Sequence, residues 1–248
     1  EKLEHTLKSL RAQQTDFEYE IIVMDNESTD GSREIAVEYG CAVYTILKKD
    51  FSYGRALNTG IAKSQAPFVM ILSAHILLLD KFFLQQVPAF FSDAMVAGLR
   101  FTPASDKNAS EKNFVYGMQK LQYAEGESFV TDNWNNFIVN HCSAIRKTCW
   151  QQLAFDEHMY ASEDKLWSLQ ILKKGQAILY NIPLFYLYTK EVNEYAKMYK
   201  LVIDTAAKEK ITGIKNMEYS QSVFLKGIGS LLFYIKTWFK KMKAYAAI

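Results

Sequence analysis

Three short clusters of polar residues could carry out chemistry in this chain of 248 residues. They occupy residues 25–32, 73–75 and 162–167. The first two follow apolar stretches typical of strands, and the third opens a predicted helix. Ligands of an open α/β sheet bind in the crevice beyond the carboxyl ends of its strands. The sequence therefore predicts that the three clusters converge on one crevice.

The first cluster reads Asp-Asn-Glu-Ser-Thr-Asp-Gly-Ser and begins at Asp25. A carboxylate at this place can accept a hydrogen bond from a nucleobase N–H or a ribose hydroxyl. The start of the following helix also favours anionic groups. A turn with a helix N-cap is the alternative interpretation, and these residue types satisfy it equally well.

The second cluster is Ser73-Ala74-His75. A single histidine is often only a structural hydrogen-bonding group. At the ligand-binding edge of a sheet it is also a candidate donor to phosphate or a candidate metal ligand. The residues alone leave both interpretations open.

The third cluster contains the neighbouring acids Glu163 and Asp164. Ser162 is predicted to cap the helix, and the two acids suit its positive end, so capping alone would explain them. Trp167 lies one turn after Asp164 and offers an apolar platform for a sugar ring as the alternative.

The elements that position these clusters alternate between strand-like and helical stretches. Strands are predicted over residues 20–24, 41–47, 67–73, 95–101 and 177–180. Helices are predicted over residues 3–10, 32–39, 52–63, 80–91, 145–153, 162–174, 191–210 and 221–245. Such alternation indicates βαβ crossovers and a mostly parallel sheet. Residues 102–140 have no clear periodicity, and a long irregular stretch in a compact domain is usually functional or mobile.

Composition excludes some classes of function. Hydrophobic residues make up 49% of the chain and charged residues 23%, a balance typical of a folded globular protein. The formal net charge of +2 gives no global field that would favour nucleic acid as a partner. The apolar residues 223–239, with the lysines that follow to residue 243, suit an amphipathic helix at a membrane surface. Packing against the domain or a partner subunit is the alternative.

The order of the three clusters resembles family-2 glycosyltransferases of the GT-A fold, among them bacterial rhamnosyltransferase-like enzymes of surface-glycan synthesis. The similarity extends from about residue 3 to residue 188. It rests on three segments, EIIVMDNESTDGS at 20–32, FSYGRALNTGIAKSQAPFVMILSAH at 51–75 and FIVNHCSAIRKTCWQQLAFDEHMYASEDKLWSLQILKKG at 137–175.

The resemblance implies an inverting transfer from a nucleotide sugar, with Asp164 as the base that activates the acceptor hydroxyl. The residues implied on the nucleotide-sugar side are Asp25, Glu27, Arg55, Asn58, Ser73, Ala74 and His75. Those implied on the acceptor side are Trp134, Glu163 and Trp167. The acceptor is expected to be a glycan or a lipid-linked sugar, at the cytoplasmic face of the membrane.

The chain departs from the family pattern in three places. Ser73-Ala74-His75 stands where an aspartate-x-aspartate metal motif is expected, and Tyr188 replaces a common histidine. The resemblance implies a divalent cation, Mg²⁺ or Mn²⁺, for which His75 is the remaining candidate ligand. The strand that normally precedes the first helix is absent, which we interpret as truncation. We expect a GT-A domain over residues 1–190 and a helical extension over residues 191–248.

Two other classes of function compete with this interpretation. A non-catalytic nucleotide-sugar-binding or scaffold protein would explain the loss of acids at Ser73 and His75. The retained pair Glu163 and Asp164 argues against it, because a scaffold needs no base. A hydrolase that uses Asp164 and His75 would lack a nucleophile motif such as GxSxG.

Overall fold

The computed structural model describes residues 2–104, 117–159, 161–189 and 194–213. The chain divides into two compact units, Glu1–Lys190 and Glu191–Ile248. In the second unit the described part is one helix, Glu194–Thr212. No helix among the described residues combines the length and apolarity needed to cross a membrane. The amphipathic segment predicted at 223–243 lies outside the described residues.

The first unit alternates helices and strands. Its helices are α1 (Lys2–Arg11), α2 (Ser32–Glu38), α3 (Tyr53–Lys63), α4 (Phe83–Gln86), α5 (Phe129–Asn133), α6 (Lys147–Gln152) and α7 (Glu163–Lys173), and the helix of the second unit is α8. Its strands are β1 (Ile22–Asp25), β2 (Ala42–Thr45), β3 (Phe68–Leu72), β4 (Ile76–Leu78), β5 (Val96–Pro103), β6 (Gln119–Leu121), β7 (Cys142–Arg146) and β8 (Ala177–Tyr188). The α/β class is therefore confirmed.

The strands form a mixed arrangement, so the expectation of a mostly parallel sheet is wrong. β1 and β2 pair in parallel as a two-stranded sheet. The other six form one sheet in the order β3-β7-β5-β8-β4, with β6 also paired to β8. Only β5 and β8 are parallel in this sheet, and its remaining pairs are antiparallel. The antiparallel partners β4, β6 and β7 are the strands that the sequence pattern missed.

Several local expectations can be compared directly with the structure. Ser52 caps α3, because its Oγ accepts a hydrogen bond of 3.1 Å from the backbone N–H of Arg55. The single helix predicted over 80–91 is instead α4 followed by a 3₁₀ turn at Val87–Phe91. Pro88 lies in that turn and lacks the N–H that a continuing helix would need.

The core that supports the site lies between α1 and the strands. Leu7 and Leu10 of α1 are buried in one apolar cluster with residues of β5 and β8. Phe83 and Phe101 are fully buried in it and meet edge to face, with ring centres 4.8 Å apart. Burial of each large apolar side chain contributes about 1.5–3 kcal/mol, so this cluster provides a rigid base for the strand ends.

Candidate active site

The two acids of the third cluster lie buried at the start of α7. Asp164 is 8% exposed, and its Oδ2 accepts a hydrogen bond of 3.0 Å from the backbone N–H of Asn140. Its Oδ1 accepts from the N–H of Lys165 at 2.7 Å. A carboxylate has about four acceptor positions, and these two backbone N–H groups occupy two of them. The predicted side-chain cap from Ser162 is wrong, since its side chain makes no capping hydrogen bond to the helix.

Glu163 differs sharply from its neighbour Asp164. It is 1% exposed, and its Oε1 accepts a hydrogen bond from the side-chain amide of Asn140. Its Oε2 is buried without a hydrogen-bond partner among the described residues. Burial, together with the negative charge of Asp164, raises the pKa of Glu163 to about 7. Asn140 therefore contacts both acids, and Glu163 holds a proton close to neutral pH.

His141, the residue after Asn140, connects the second cluster to the third. The backbone N–H of Ser73 donates to the carbonyl of His141 at 3.1 Å. The rings of His75 and His141 both lie edge-on to Tyr188, with centres 4.6 and 5.5 Å from it. His141 Nε2 also shares a hydrogen bond of 2.9 Å with the hydroxyl of Tyr186. These contacts bring Ser73 and His75 to the strand edge on which Asn140 holds Asp164, whereas Ala74 is exposed.

The first cluster lies at the carboxyl end of β1, in the two-stranded sheet. Asp25 is 7% exposed, and its carboxylate accepts from the N–H of Ser28 at 3.2 Å. Glu27 has a left-handed backbone, with φ of 50°, and its Oε2 accepts from the N–H of Lys48 at 2.7 Å. Glu27 thus ties together the loops that follow β1 and β2. The interpretation of this cluster as a turn accounts for these contacts.

Asn58 forms hydrogen bonds to three residues between positions 150 and 157. Its Oδ1 accepts from the indole N–H of Trp150 at 2.9 Å and from the N–H of Phe155 at 3.0 Å. Its Nδ2 donates to the carbonyl of Phe155 at 2.9 Å and to Glu157 Oε1 at 3.0 Å. These four bonds use the full capacity of a side-chain amide. The assignment of Asn58 to the nucleotide-sugar side stays a prediction.

Arg55, like Asn58, connects α3 to Glu157. We call Gly54, Arg55 and Asn58 together the α3 clamp. Arg55 Nε forms an ion pair of 3.0 Å with Glu157, and its Nη1 donates to the carbonyl of Asp50. The hydrogen bond from Asn58, and next that from Arg55, lower the pKa of Glu157. A Cβ on Gly54 would lie 2.2 Å from the backbone oxygen of Asp156, so only glycine permits this approach. These contacts connect Arg55 to residues 50 and 157, and its assignment to the nucleotide-sugar side stays a prediction.

The two tryptophans assigned to the acceptor side occupy different environments. Trp167 is 1% exposed, stacks on Phe155 at 5.4 Å and donates to the carbonyl of Leu153. Its ring is buried without a ligand bound, and its assignment to the acceptor side stays a prediction. Trp134 is half-buried, and the Lys165 ammonium lies 5.9 Å from its ring centre. Trp134 therefore lies beside the helix that carries Asp164 and stays a candidate.

The residues at the metal position do not fit a preformed divalent site. Hard cations such as Mg²⁺ prefer carboxylate and carbonyl oxygens. Ser73 and His75 provide one hydroxyl and one imidazole between them. In the described ranges, no three His, Cys, Asp or Glu side chains lie close enough together to hold a metal ion.

Four residues to which the sequence assigned no role in the site lie on or next to the strands around these clusters. Asn140 and His141 precede β7, Tyr186 lies on β8, and Arg100 projects from β5. Burial raises the pKa of the Tyr186 hydroxyl, so this group stays neutral. The one available signal was a charged Arg100 inside the otherwise apolar stretch VAGLRF. Local patterns gave no signal for Asn140, because its partners lie more than 20 residues away.

Comparison with known proteins identifies the family. The sequence model of glycosyl transferase family 2 matches residues 1–153, which is more than half of the chain. The chain belongs to glycosyl transferase family 2. The family resemblance predicted from the sequence is thereby confirmed.

Two curated relatives of this family-2 chain are O-antigen chain rhamnosyltransferases. WbaN of Salmonella anatum is 27% identical over 174 residues, which cover 67% of this chain and 55% of WbaN. RfbN of Salmonella typhimurium is 25% identical over 176 residues, which cover 68% of this chain and 56% of RfbN. The chain thus spans a little over half the length of these relatives.

Solved structures share the fold of this family-2 chain at low sequence identity. The mannosyltransferase PcManGT from Pyrobaculum calidifontis, in complex with GDP-Man and Mn²⁺, has a TM-score of 0.63 at 13% identity, covering 100% of this chain and 77% of PcManGT. TarS 1-349 of S. aureus, in complex with UDP, has a TM-score of 0.56 at 16% identity, covering 85% of this chain and 65% of TarS. The fold is the GT-A glycosyltransferase fold.

The raised pKa of Glu163 predicts an unusual dependence of stability on pH. An unfolded glutamate ionises near pH 4.5 and the folded Glu163 near pH 7, so the folded state loses stability as the pH rises through this window. Glu163→Gln removes the buried acid and keeps an oxygen for Asn140. We expect the variant to gain on the order of 3 kcal/mol over the wild type at pH 8, and almost nothing at pH 4.5. Denaturant unfolding at the two pH values measures this difference.

Glu157→Gln is the matched control for this experiment. The pKa of Glu157 is lowered by its partners, so its contribution to stability is present above the unfolded pKa and is lost at lower pH. This variant should therefore be less stable than the wild type at pH 8, the opposite sign. Equal stability of Glu163→Gln and wild type at both pH values would contradict a buried, protonated Glu163.

Proposed function

We propose that this chain is an inverting glycosyltransferase that transfers a sugar from a nucleoside-diphosphate sugar to a glycan or lipid-linked acceptor in surface polysaccharide synthesis. The observation that carries the proposal is the buried Asp164 carboxylate, held by the N–H of Asn140 beside the segment that contains Ser73 and His75. The names of the curated relatives support synthesis of a surface glycan.

In the proposed reaction Asp164 acts as general base. Its carboxylate accepts the proton of the acceptor hydroxyl while the oxygen of that hydroxyl forms a bond to the anomeric carbon. The bond from this carbon to the nucleoside diphosphate breaks on the opposite face, which inverts the configuration. α7 and Asn140 hold the Asp164 carboxylate in place, which sets the angle from which the acceptor hydroxyl approaches it. Such positioning is a large part of catalysis.

The leaving diphosphate needs positive charge or hydrogen-bond donors as the bond to the sugar breaks. We assign a donor role to the imidazole of His75, which the ring of Tyr188 holds in place at 4.6 Å. The residues do not fit a preformed metal site, so no step of this proposal passes through one. Asp25 is assigned to the nucleotide, at the carboxyl end of β1.

The donor can be identified with a panel of nucleotide sugars. Because the curated relatives are rhamnosyltransferases, a nucleoside-diphosphate rhamnose is the first choice, with UDP-GlcNAc and GDP-mannose for comparison. A donor present at 100 times its dissociation constant should stabilise the protein by about 2.7 kcal/mol, which a thermal-shift measurement detects. Release of nucleoside diphosphate only when an acceptor glycan is present would establish transfer. Stabilisation without turnover would contradict it.

A non-catalytic nucleotide-sugar-binding or scaffold protein is the second candidate. The observation in its favour is the replacement of both acids of the metal motif by Ser73 and His75. Such a protein would bind the donor with the same thermal shift but would release no diphosphate with any acceptor. The turnover measurement above separates the two functions.

The metal dependence of the reaction gives a separate prediction. One imidazole and one hydroxyl are a poor site for a hard cation, whereas the diphosphate of a donor brings its own oxygen ligands. We therefore expect calorimetry to show no micromolar binding of Mn²⁺ to the protein alone, and binding when UDP or GDP is also present. Micromolar Mn²⁺ binding without nucleotide would contradict this expectation. Full transfer activity in excess chelator would show that hydrogen-bond donors such as His75 are enough to stabilise the leaving diphosphate.

A further inference from the structure

The side chains of Asn140 and Glu163 share one hydrogen bond, and each leaves one buried oxygen over. Asn140 Nδ2 donates to Glu163 Oε1. Among the described residues, neither Asn140 Oδ1 nor Glu163 Oε2 has a hydrogen-bond partner, although both atoms are buried. Leaving a buried polar atom unpaired is costly, so native structures rarely do it. The two remaining oxygens belong to the same two groups that already bond to each other.

These two oxygens are chemically complementary when Glu163 carries a proton. A protonated carboxyl group has one O–H donor and one carbonyl acceptor, and a side-chain amide also has both a donor and an acceptor. Glu163 Oε1 already accepts from Asn140 Nδ2. A proton on Oε2 can then be donated to Asn140 Oδ1, which closes a ring of two hydrogen bonds. In the ionised form both oxygens are acceptors, so the second bond cannot form.

The surroundings of Glu163 favour the protonated form that this ring requires. The side chain is 1% exposed. Burial, and next the negative charge of Asp164, raise the pKa of Glu163 to about 7. A hydrogen bond donated by Oε2 stabilises the neutral form further. Other titratable side chains on α7 and on the elements around it include Lys165, His141, Arg100, Tyr186 and Arg55.

The same asparagine holds the proposed base through its backbone. The N–H of Asn140 donates to Asp164 Oδ2 at 3.0 Å. On its other side, Val139 is held by Ser143, whose Oγ accepts from the N–H of Val139 at 2.8 Å and donates to its carbonyl at 2.7 Å. Because Glu163 directly precedes Asp164, Asn140 joins the start of α7 to the segment before β7 at two successive residues.

We propose that Asn140 is a positioning residue, whose amide forms a closed pair of hydrogen bonds with protonated Glu163 while its backbone N–H holds the Asp164 carboxylate. We call this arrangement the acid–amide pair (Asn140 and Glu163). It leaves Asp164 as the negative charge of the two acids and fixes the peptide unit that orients it. Ionisation of Glu163 would break the second bond and place a like charge beside Asp164, which disfavours the ionised base. This inference rests on the proposed function of Asp164.

The first test uses the full chain without donor or acceptor and reports on the proton of Glu163. Infrared difference spectra at pH 6, wild type minus Glu163→Gln, isolate the C=O stretch of a protonated Glu163 carboxyl. We expect this band in the wild type, and a shift to higher frequency in Asn140→Leu, where the carbonyl has lost its N–H donor. Asn136→Leu is the matched control, because the Asn136 amide donates to Asn133 at 3.1 Å and not to an acid, so the band should stay in place.

A crystal structure at the same pH tests the second hydrogen bond. Glu163 Oε2 and Asn140 Oδ1 should lie about 2.5–3.0 Å apart. Glu163→Gln should keep the same arrangement, because its NH₂ group can donate in place of the O–H. A separation beyond about 3.5 Å, or a water between the two atoms, overturns the acid–amide pair. Absence of the protonated-carboxyl band at pH 6 overturns it as well.

Transfer assays connect the acid–amide pair to the base. Asn140→Leu should lower kcat by a factor of about ten or more through misplacement of Asp164, and leave the dissociation constant of the donor unchanged. Asn140→Ser, which is too short to reach both carboxyl oxygens, replaces it if Asn140→Leu does not fold. The alkaline limb of kcat against pH should follow the loss of the infrared band in the wild type and be missing in Glu163→Gln.

The outcomes separate this inference from the proposed function. Wild-type kcat in the folded Asn140 variant, with Asp164→Asn inactive, overturns the positioning role. An alkaline limb that Glu163→Gln retains also contradicts it. If Asp164→Asn keeps its transfer rate while the infrared band and the distance between the two oxygens are as expected, the acid–amide pair stands and the role of Asp164 as base fails.

Discussion

Asp164→Asn is expected to lower the rate of sugar transfer by two orders of magnitude or more and to leave donor affinity unchanged. The amide keeps the size of the side chain and one oxygen for the N–H of Asn140, but it cannot take up the acceptor proton. Loss of a positioned general base typically costs a factor of about 10²–10⁴. The experiment measures kcat and the dissociation constant of the donor. A general base acts only in the transition state, so its removal lowers kcat but does not weaken donor binding.

Asp93→Asn is the matched control for this substitution. Asp93 lies just before the first residue of β5 and forms an exposed ion pair of 2.7 Å with Lys120. The same chemical change there should leave transfer within a factor of about two, because exposed ion pairs contribute little. Near-normal transfer by Asp164→Asn would assign the base to another group, with Glu163 the first to examine.

Trp167→Ala is expected to lower the free energy of unfolding by about 3–5 kcal/mol. The ring is fully buried, stacks on Phe155 and donates its N–H to the carbonyl of Leu153. Truncation therefore leaves a large cavity and an unsatisfied carbonyl. Trp167→Phe, which fills much of the space, should lose clearly less. Urea unfolding of the three proteins measures both differences.

Trp134→Ala provides the contrast, because Trp134 is only half-buried beside Lys165. We expect it to change stability less than Trp167→Ala and to raise the KM for the acceptor. The opposite pattern, with Trp167→Ala stable but poor in acceptor use, would support Trp167 as a sugar platform.

The fold was predictable where one stretch of sequence formed one element. The apolar stretch at 67–73 became β3, and the capped stretch at 52–63 became α3. β7 was missed because Cys142–Arg146 runs directly into α6, and the expected helix at 145–153 merged the two. Short apolar stretches cannot be assigned to strand or helix by periodicity alone. The direction of pairing was also not readable, because it depends on partners distant in the chain.

The sequence predicted those parts of the site that depend on short segments of consecutive residues. Ser73 contacts His141, His75 contacts Tyr188 beside His141, and Asp164 contacts Asn140, so the second and third clusters both connect to residues 140–141. The role of Asn58 was not predictable, because its partners lie 92 to 99 residues further along the chain. Side-chain hydrogen bonds over such separations leave no periodic pattern in the sequence.

The α3 clamp limits how chimaeric enzymes can be built from this scaffold. A graft that exchanges residues 137–175 for those of a relative would import new partners at positions 155 and 157 while retaining Asn58 and Arg55. A crossover point between residues 58 and 155 therefore separates groups that hydrogen-bond to one another. Recombinants that take α3 and the later segment from the same parent keep these bonds, and acceptor exchange is best attempted with that pair inherited together.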